Sequence, residues 1–241
     1  MTVFSAIQDP IWRGVAAILA ATAGCAGILL LLQQFVPFAD ELSRKLLHLA
    51  VVAVLPVWLY AFDRWQTAAL SMVLFVAVVY PVLILLEKLD LMRYLKAVTS
   101  ERKPGELRKS LCALGFMFLM LIGVCWAWMG KRSLALAAIL AWGPGDAAAA
   151  LIGKRWGKTK IGRAKKKSLE GTGAMFLLSW LCVLVVLLLD GSFTAWQALA
   201  VSLLTGAVSA FTELAVLSGY DTLFCPAAAM TVLCLAWLLC R

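Results

Sequence analysis

The sequence has little charge and almost no histidine. Only 15% of its 241 residues are charged, and it contains a single histidine. Its apolar residues fall into long runs and not into the alternating pattern of half-buried strands. A soluble protein built on a β-sheet is therefore excluded. The runs also leave no room for a separate soluble domain, so we expect residues 1–241 to form one integral-membrane domain.

Clustered cysteines are also missing. The seven cysteines are scattered, mostly inside apolar runs. Disulfide frameworks and zinc sites need closely spaced cysteines, so we expect neither and interpret these residues as packing or lipid-facing. The first apolar run lacks a basic flank and a small-residue cleavage site, and we therefore expect no cleavable secretory signal.

The sequence contains a near match to a nucleotide-binding P-loop, but its spacing is one residue too short. The stretch GKRWGKT resembles that loop, but only three residues separate Gly153 from Gly157, whereas the motif has four. The loop must also follow a β-strand, which this composition does not offer. A nucleotide bound near this stretch must therefore be held in another way.

Long apolar runs are what the sequence does contain. About 20 apolar residues cross a bilayer as a helix, because a helix satisfies its own backbone hydrogen bonds. The fold class is therefore all-α, a polytopic bundle of about eight transmembrane helices (range seven to nine). The predicted spans are roughly 15–35, 47–62, 66–86, 111–129, 133–152, 174–189, 197–217 and 226–240.

The basic residues predict the orientation of this bundle. The connections on one side carry 17 of the 22 lysines and arginines, and the other side carries five. By the positive-inside rule the first side is cytoplasmic, and both termini lie on the non-cytoplasmic side. Ten of the 13 acidic residues map to the same cytoplasmic half, which orientation alone does not require.

Three acidic residues and a basic segment mark a candidate site at that face. Asp146 lies in the fifth predicted span, where we expect Pro144 to interrupt the helix and free backbone groups. Glu213 lies near the cytoplasmic end of the seventh span, and Asp221 follows in a turn before the last span. Three carboxylates at similar depth offer enough oxygen ligands for Mg²⁺.

The basic segment KRWGKTKIGRAKKKSLEGTG, residues 154 to 173, follows the span of Asp146. Its positive side chains and exposed backbone N–H groups suit a polyphosphate, and a lipid headgroup contact would look the same. Ser168 and Glu170 are candidates for capping the next helix. Proton-coupled transport also uses intramembrane carboxylates and stays an alternative.

A polar stripe lies early in the chain. In ELSRKLLH the residues Glu41, Arg44, Lys45 and His48 are spaced i, i+3, i+4 and i+7, which places them on one helical face at the membrane boundary. His48 fits an interfacial anchor as well as a site residue, and the spacing alone does not separate the two.

These segments together resemble a known family. ELSRKLLH, then GDAAAALIGKRWGKTKI with KKSLEG, and a late ELAVLSGYDTLFCP resemble the CTP-dependent lipid kinases: dolichol kinase, phytol kinase and the fungal-type diacylglycerol kinase. The middle segment is also similar to CDP-diacylglycerol synthase. The resemblance runs from about residue 40 to 230. The chain departs from it at Thr222, where the family usually has asparagine, and at Pro144.

The resemblance implies Mg²⁺-assisted transfer of a phosphoryl group from CTP to a polyprenol, dolichol, phytol-like alcohol or diacylglycerol. It implies catalytic roles for Asp146, Lys45, His48 and Asp221, and metal ligation by Asp146, Glu213 and Asp221. It also implies that CTP is bound at Arg44, Lys154, Arg155, Lys160, Lys166, Lys167, Ser168, Glu170 and Gly171.

Two other functions stay open. A phosphatidate cytidylyltransferase would attack the α-phosphate, but the histidine-rich acidic signature of that family is absent near the C-terminus. A transporter would carry out no chemistry. The expected partners are CTP, the lipid acceptor, membrane lipids and a second copy of the chain, without nucleic acid. The expected location is the bacterial inner membrane, or the endoplasmic reticulum or plastid of a eukaryote, with the site facing the cytoplasm.

Overall fold

A computed structural model describes residues 11–35, 40–89, 105–161, 167–216 and 220–240. Within these ranges the chain forms eight α-helices and one two-stranded antiparallel sheet. The helices are α1 (Ile11–Phe35), α2 (Asp40–Tyr60), α3 (Trp65–Lys88), α4 (Glu106–Leu121), α5 (Arg132–Arg155), α6 (Leu169–Asp190), α7 (Ala195–Ala215) and α8 (Asp221–Cys240). The strands are β1 (Lys160–Ile161) and β2 (Lys167–Ser168), and α4 continues as a π-helical segment, Ile122–Trp128.

The predicted all-α fold is confirmed, and each predicted apolar run coincides with a helix. In the described part of the chain, six helices are long and apolar enough to cross a membrane: α3, α4 with its π-helical continuation, and α5 to α8. Many large apolar side chains on these helices are exposed, including Leu74, Phe116 and Leu189. Exposed apolar side chains of this number need a nonpolar solvent. The chain is therefore an integral membrane protein.

The chain divides into two compact units, residues 1–122 and 123–241. In the N-terminal unit α1 packs on α2 and α3 packs on α4. The indole of Trp58 organises its interior: it stacks edge-on against Phe75 with ring centroids 5.0 Å apart, approaches Phe118 at 5.9 Å and donates its N–H to Ser71 Oγ at 2.8 Å. A salt bridge of 3.0 Å from Arg108 to Glu87 links α4 to α3.

The C-terminal unit is built around α5, which packs against α6, α7 and α8. Small residues make this packing close. A Cβ added at Gly145 would lie 2.6 Å from Ser179 Oγ on α6, and one added at Gly206 would lie 3.0 Å from Trp180 Cβ. Helices that approach through glycine and alanine gain dispersion contacts that lipid cannot replace. These contacts hold α6 close against α5 and α7.

Short connections fix the order of the helices in this unit. α6 ends at Asp190 and is followed by Gly191, whose φ of 66° is left-handed and suits glycine. α7 then begins with a reciprocal capping box, in which Thr194 Oγ1 accepts from the Gln197 N–H and the Gln197 side chain accepts from the Thr194 N–H. The tight turn makes α6 and α7 antiparallel neighbours.

A charged cluster closes one end of the C-terminal unit. Lys131 Nζ, just before α5, donates to Ser192 Oγ at 2.5 Å, lies 3.7 Å from Asp190 Oδ2 and sits 4.6 Å from the centroid of the Trp237 ring. Lys131 thus joins the start of α5, the turn after α6 and the end of α8. We call Lys131, Asp190, Ser192 and Trp237 the lysine clamp.

Two local predictions are wrong. Pro144 does not interrupt the helix, since α5 runs without a break from Arg132 to Arg155. A neighbouring helix supports the backbone there, because Ser179 Oγ donates to the Ala141 carbonyl at 2.5 Å, and transmembrane helices tolerate proline when neighbouring hydroxyls bond their carbonyls. Asp221 is not in a turn either: it is the first residue of α8, and Pro226 is the sixth residue of that helix.

Candidate functional site

The three predicted carboxylates belong to three different helices that pack together. Asp146 comes from α5, Glu213 from the end of α7 and Asp221 from the start of α8. Asp146 is 7% exposed and Glu213 is 9% exposed, so both are buried, while Asp221 is half-buried. The fold therefore brings into one unit carboxylates that are up to 75 positions apart in the chain.

A cysteine that the sequence did not single out lies among these acids. The Cys225 thiol is fully buried and interacts electrostatically with Asp221, Asp146 and Glu213, and also with the ammonium of Lys167. All three carboxylates and one cation thus act electrostatically on a single buried sulfur atom. We call Asp146, Glu213, Asp221 and Lys167, grouped around Cys225, the carboxylate cluster.

Lys167 is held tightly within this cluster. Its Nζ forms a 2.8 Å salt bridge with Glu213 Oε1 and also donates to the Glu213 backbone carbonyl and, at 3.4 Å, to that of Val216. A cation at the last carbonyls of a helix interacts favourably with the helix dipole. Lys167 therefore caps α7 and neutralises Glu213, a contact that its predicted role in phosphate binding did not anticipate.

The other predicted phosphate contacts flank the cluster in sequence. Lys154 and Arg155 end α5 and are exposed, and Lys160 is exposed on β1. The strands pair with Lys160 opposite Ser168 and Ile161 opposite Lys167, so the basic segment forms a hairpin between α5 and α6. Lys166 lies in residues 162–166, outside the described residues.

Ser168 and Glu170 cap and brace the start of α6, as predicted. Ser168 is the N-cap, and its Oγ accepts from the Gly171 N–H at 3.1 Å. The Glu170 carboxylate accepts from the backbone N–H groups of Lys158 at 3.1 Å and Thr159 at 3.2 Å. The prediction that this segment presents exposed backbone donors is wrong at these positions, because their N–H groups are already bonded.

The glycines that resemble a P-loop serve close packing. A Cβ at Gly157 would overlap the Gly153 carbonyl oxygen and would lie 2.5 Å from Ser168 Oγ. A Cβ at Gly171 would lie 2.7 Å from the Ala149 carbonyl oxygen. The end of α5 and the start of α6 therefore meet backbone to backbone. This junction fixes the hairpin beside the carboxylate cluster, because β2 leads directly into α6.

The donor atoms of the carboxylate cluster suit a hard divalent cation. Among the described residues no three histidine, cysteine, aspartate or glutamate side chains are already arranged to hold a metal ion. Mg²⁺ does not require such a set, because it is usually bound by one or two carboxylates with phosphate oxygens and water. Carboxylates on separate helices can supply that number, so the types of residue present fit a magnesium ion.

The early polar stripe belongs to the N-terminal unit. Arg44, Lys45 and His48 lie on α2 as predicted and are half-buried, and each engages other groups of the protein. Glu41 also lies on α2. Their helical spacing is confirmed, and their participation in a site stays a prediction.

One buried hydroxyl near the cluster also had no signal in the sequence. Ser209 precedes Glu213 by one helical turn on α7, is fully buried and has no hydrogen-bond partner within the described residues. Serine is common in packed transmembrane helices, so its burial alone does not indicate a functional role. Ser209 is related to the site only because it lies one helical turn before Glu213.

Comparison with family models, with curated proteins and with solved structures finds no match for this chain.

Proposed function

We propose that this protein is a CTP-dependent lipid kinase that transfers the γ-phosphoryl group of CTP to the hydroxyl of a membrane-embedded isoprenoid alcohol or diacylglycerol. The observation that carries the proposal is the carboxylate cluster, in which acids from α5, α7 and α8 act electrostatically on one buried thiol and Lys167 of the basic hairpin pairs with Glu213. The motif resemblance supplies the nucleotide and the reaction class.

The charges of the cluster suit phosphoryl transfer. This reaction needs positioning and neutralisation of developing charge more than covalent help from the protein. Asp146 and Asp221 would hold Mg²⁺, with Glu213 as a third ligand when Lys167 releases it, and the ion would neutralise charge on the phosphates. The exposed side chains of Lys154 and Arg155 lie at the end of the same helix as Asp146 and would bind the phosphates.

The remaining predicted residues complete the site in this proposal. Lys160 contacts phosphate from the hairpin, while Ser168, Glu170 and Gly171 hold the hairpin against α6. One of the three carboxylates accepts the proton of the lipid hydroxyl. The site faces the cytoplasm, where CTP is available, and lies at the membrane face, where a lipid hydroxyl can reach it.

The test is a transfer assay with purified protein, Mg²⁺, CTP labelled at the γ-phosphate, and a panel of polyprenol, dolichol, phytol and diacylglycerol. We expect label in one lipid product and a dependence on Mg²⁺. Label released as pyrophosphate together with a CDP-lipid would establish the cytidylyltransferase instead. Failure to bind CTP and to turn over any acceptor would contradict both enzymes and favour a transporter.

Matched variants connect the assay to the cluster. Asp146→Asn removes a charge from the cluster, whereas Asp190→Asn makes the same change in the lysine clamp. Asp190 ends α6, about 30 Å along the helix from Glu170 at 1.5 Å per residue. We expect Asp146→Asn to lose transfer and Asp190→Asn to keep it. Equal activity of the two variants would contradict the proposed site.

A further inference from the structure

Two cysteines that are far apart in the sequence touch in the fold. Cys125 and Cys234 are separated by 109 positions, yet their Sγ atoms lie 3.9 Å apart. Both residues are buried in the C-terminal unit, with Cys125 fully inaccessible and Cys234 7% exposed. The scattered spacing of the cysteines gave no sign of this pair.

We propose that Cys125 and Cys234 are a covalent modification site, at which the two thiols close to an intramolecular disulfide. Sulfur atoms in van der Waals contact need to approach by about 2 Å to reach the bonded distance of about 2.0 Å. Side-chain rotation on two neighbouring helical segments can supply much of that movement. This proposal is independent of the lipid kinase activity.

The backbone around both cysteines is already held together. Cys125 lies in the π-helical segment, and its carbonyl accepts from the Lys131 N–H at 2.8 Å. Lys131 in turn sits over Trp237, which follows Cys234 by three residues on α8. The lysine clamp therefore joins the same two segments that the disulfide would join, and it keeps the thiols in contact.

The reaction is a thiol–disulfide exchange with a small disulfide oxidant. One thiolate attacks a sulfur of the oxidant and releases the first small thiol, which leaves a mixed disulfide on the protein. The second cysteine thiolate then attacks the protein sulfur and releases the second small thiol. The oxidant gains the two electrons and the two protons that the cysteines lose, so one oxidant molecule gives one protein disulfide and two small thiols.

The bond would enclose most of the C-terminal unit. The segment between the two cysteines contains α5, α6, α7 and more than half of α8. A cross-link across so long a segment restricts the unfolded chain strongly. We therefore expect oxidised protein to melt several degrees above reduced protein.

The test treats membranes containing the full chain with 4,4′-dithiodipyridine, an apolar disulfide able to enter the bundle. Remaining thiols are blocked with N-ethylmaleimide, and the digest is searched by mass spectrometry for a peptide linking Cys125 to Cys234. We expect this peptide as the main linked species, sensitive to reductant. It should be lost in Cys125→Ser and in Cys234→Ser and kept in Cys182→Ser, which changes another cysteine of the same unit.

Two results would overturn the proposal. One is recovery of Cys125 and Cys234 as blocked thiols, without a linked peptide, after oxidant treatment. The other is a main linked species that joins either cysteine to a different one. Because both readouts use wild-type protein, they hold even if a serine variant fails to fold.

Discussion

The two ends of the C-terminal unit both contain charged groups, but in different arrangements. The lysine clamp pairs one cation with one carboxylate, one hydroxyl and one aromatic ring. The carboxylate cluster contains three acids and Lys167, which pairs with Glu213, and all four act electrostatically on one thiol. A one-to-one pair satisfies its charges locally and holds helices together. Like charges brought together repel unless cations join them, so the cluster has the composition of a site for a cation and its ligand.

The carboxylate cluster and the lysine clamp are also expected to differ in role, the first in activity and the second in stability. Both ends lie on the same helices: α6 starts beside the cluster and ends in the clamp, and α8 does the same. Variants at the two ends therefore perturb the same bundle through the same kinds of residue. We expect changes at the cluster to alter activity and changes at the clamp to alter stability alone.

The largest effect is expected from Asp146→Asn. Loss of this carboxylate should lower kcat of lipid phosphorylation about 100-fold or more, the order of effect seen when a group stabilising transition-state charge is removed. Transfer from labelled CTP measures it, and a thermal melt in detergent checks folding. Activity within a factor of three of wild type would remove Asp146 from the site.

Lys167→Met should give the next largest effect, on stability. It leaves the buried Glu213 carboxylate without its 2.8 Å partner and removes the cap of α7. We expect the free energy of unfolding to fall by about 2 kcal/mol, less than for a fully buried pair because both side chains keep some exposure. The matched variant Lys160→Met, at an exposed position, should cost much less. If Lys167→Met and Lys160→Met lowered the free energy of unfolding by the same amount, the contact with Glu213 would contribute little to stability.

A pair of glycine variants on one helix should differ in sign. Gly171→Ala places a Cβ 2.7 Å from the Ala149 carbonyl oxygen, whereas Gly173→Ala meets nothing within 4 Å. We expect Gly171→Ala to destabilise by about 1 to 2 kcal/mol through overpacking. Gly173→Ala should stabilise by about 0.5 kcal/mol, because alanine favours the helix. Two stabilising results in thermal unfolding would contradict the close junction between α5 and α6.

A small destabilisation is expected at the clamp. Lys131→Met removes the ion pair with Asp190, the bond to Ser192 and the contact with Trp237, and should lower stability by about 1 kcal/mol. Lipid phosphorylation per folded molecule should not change. If Lys131→Met lost as much turnover as Asp146→Asn, the clamp and the cluster could no longer be assigned different roles.

The sequence predicted the helices well because each apolar run must satisfy its backbone inside a helix. It also singled out the three carboxylates, since charged residues in apolar surroundings stand out, and their role in a site stays a prediction. It failed where a neighbouring helix decides the outcome: α5 passes through Pro144 with Ser179 bonded to the Ala141 carbonyl. Cys225 and the pair of Cys125 with Cys234 were missed for the same reason, because contacts between distant positions leave no local pattern.

The most direct measurement of the central claim is CTP binding to the purified protein by equilibrium dialysis, with and without Mg²⁺. The carboxylate cluster predicts Mg²⁺-dependent binding that weakens at least about tenfold in Asp146→Asn and in Asp221→Asn but not in Asp190→Asn, as expected for loss of a ligand at a metal and phosphate site. Binding that is absent, indifferent to Mg²⁺ or equally affected by all three variants would contradict it.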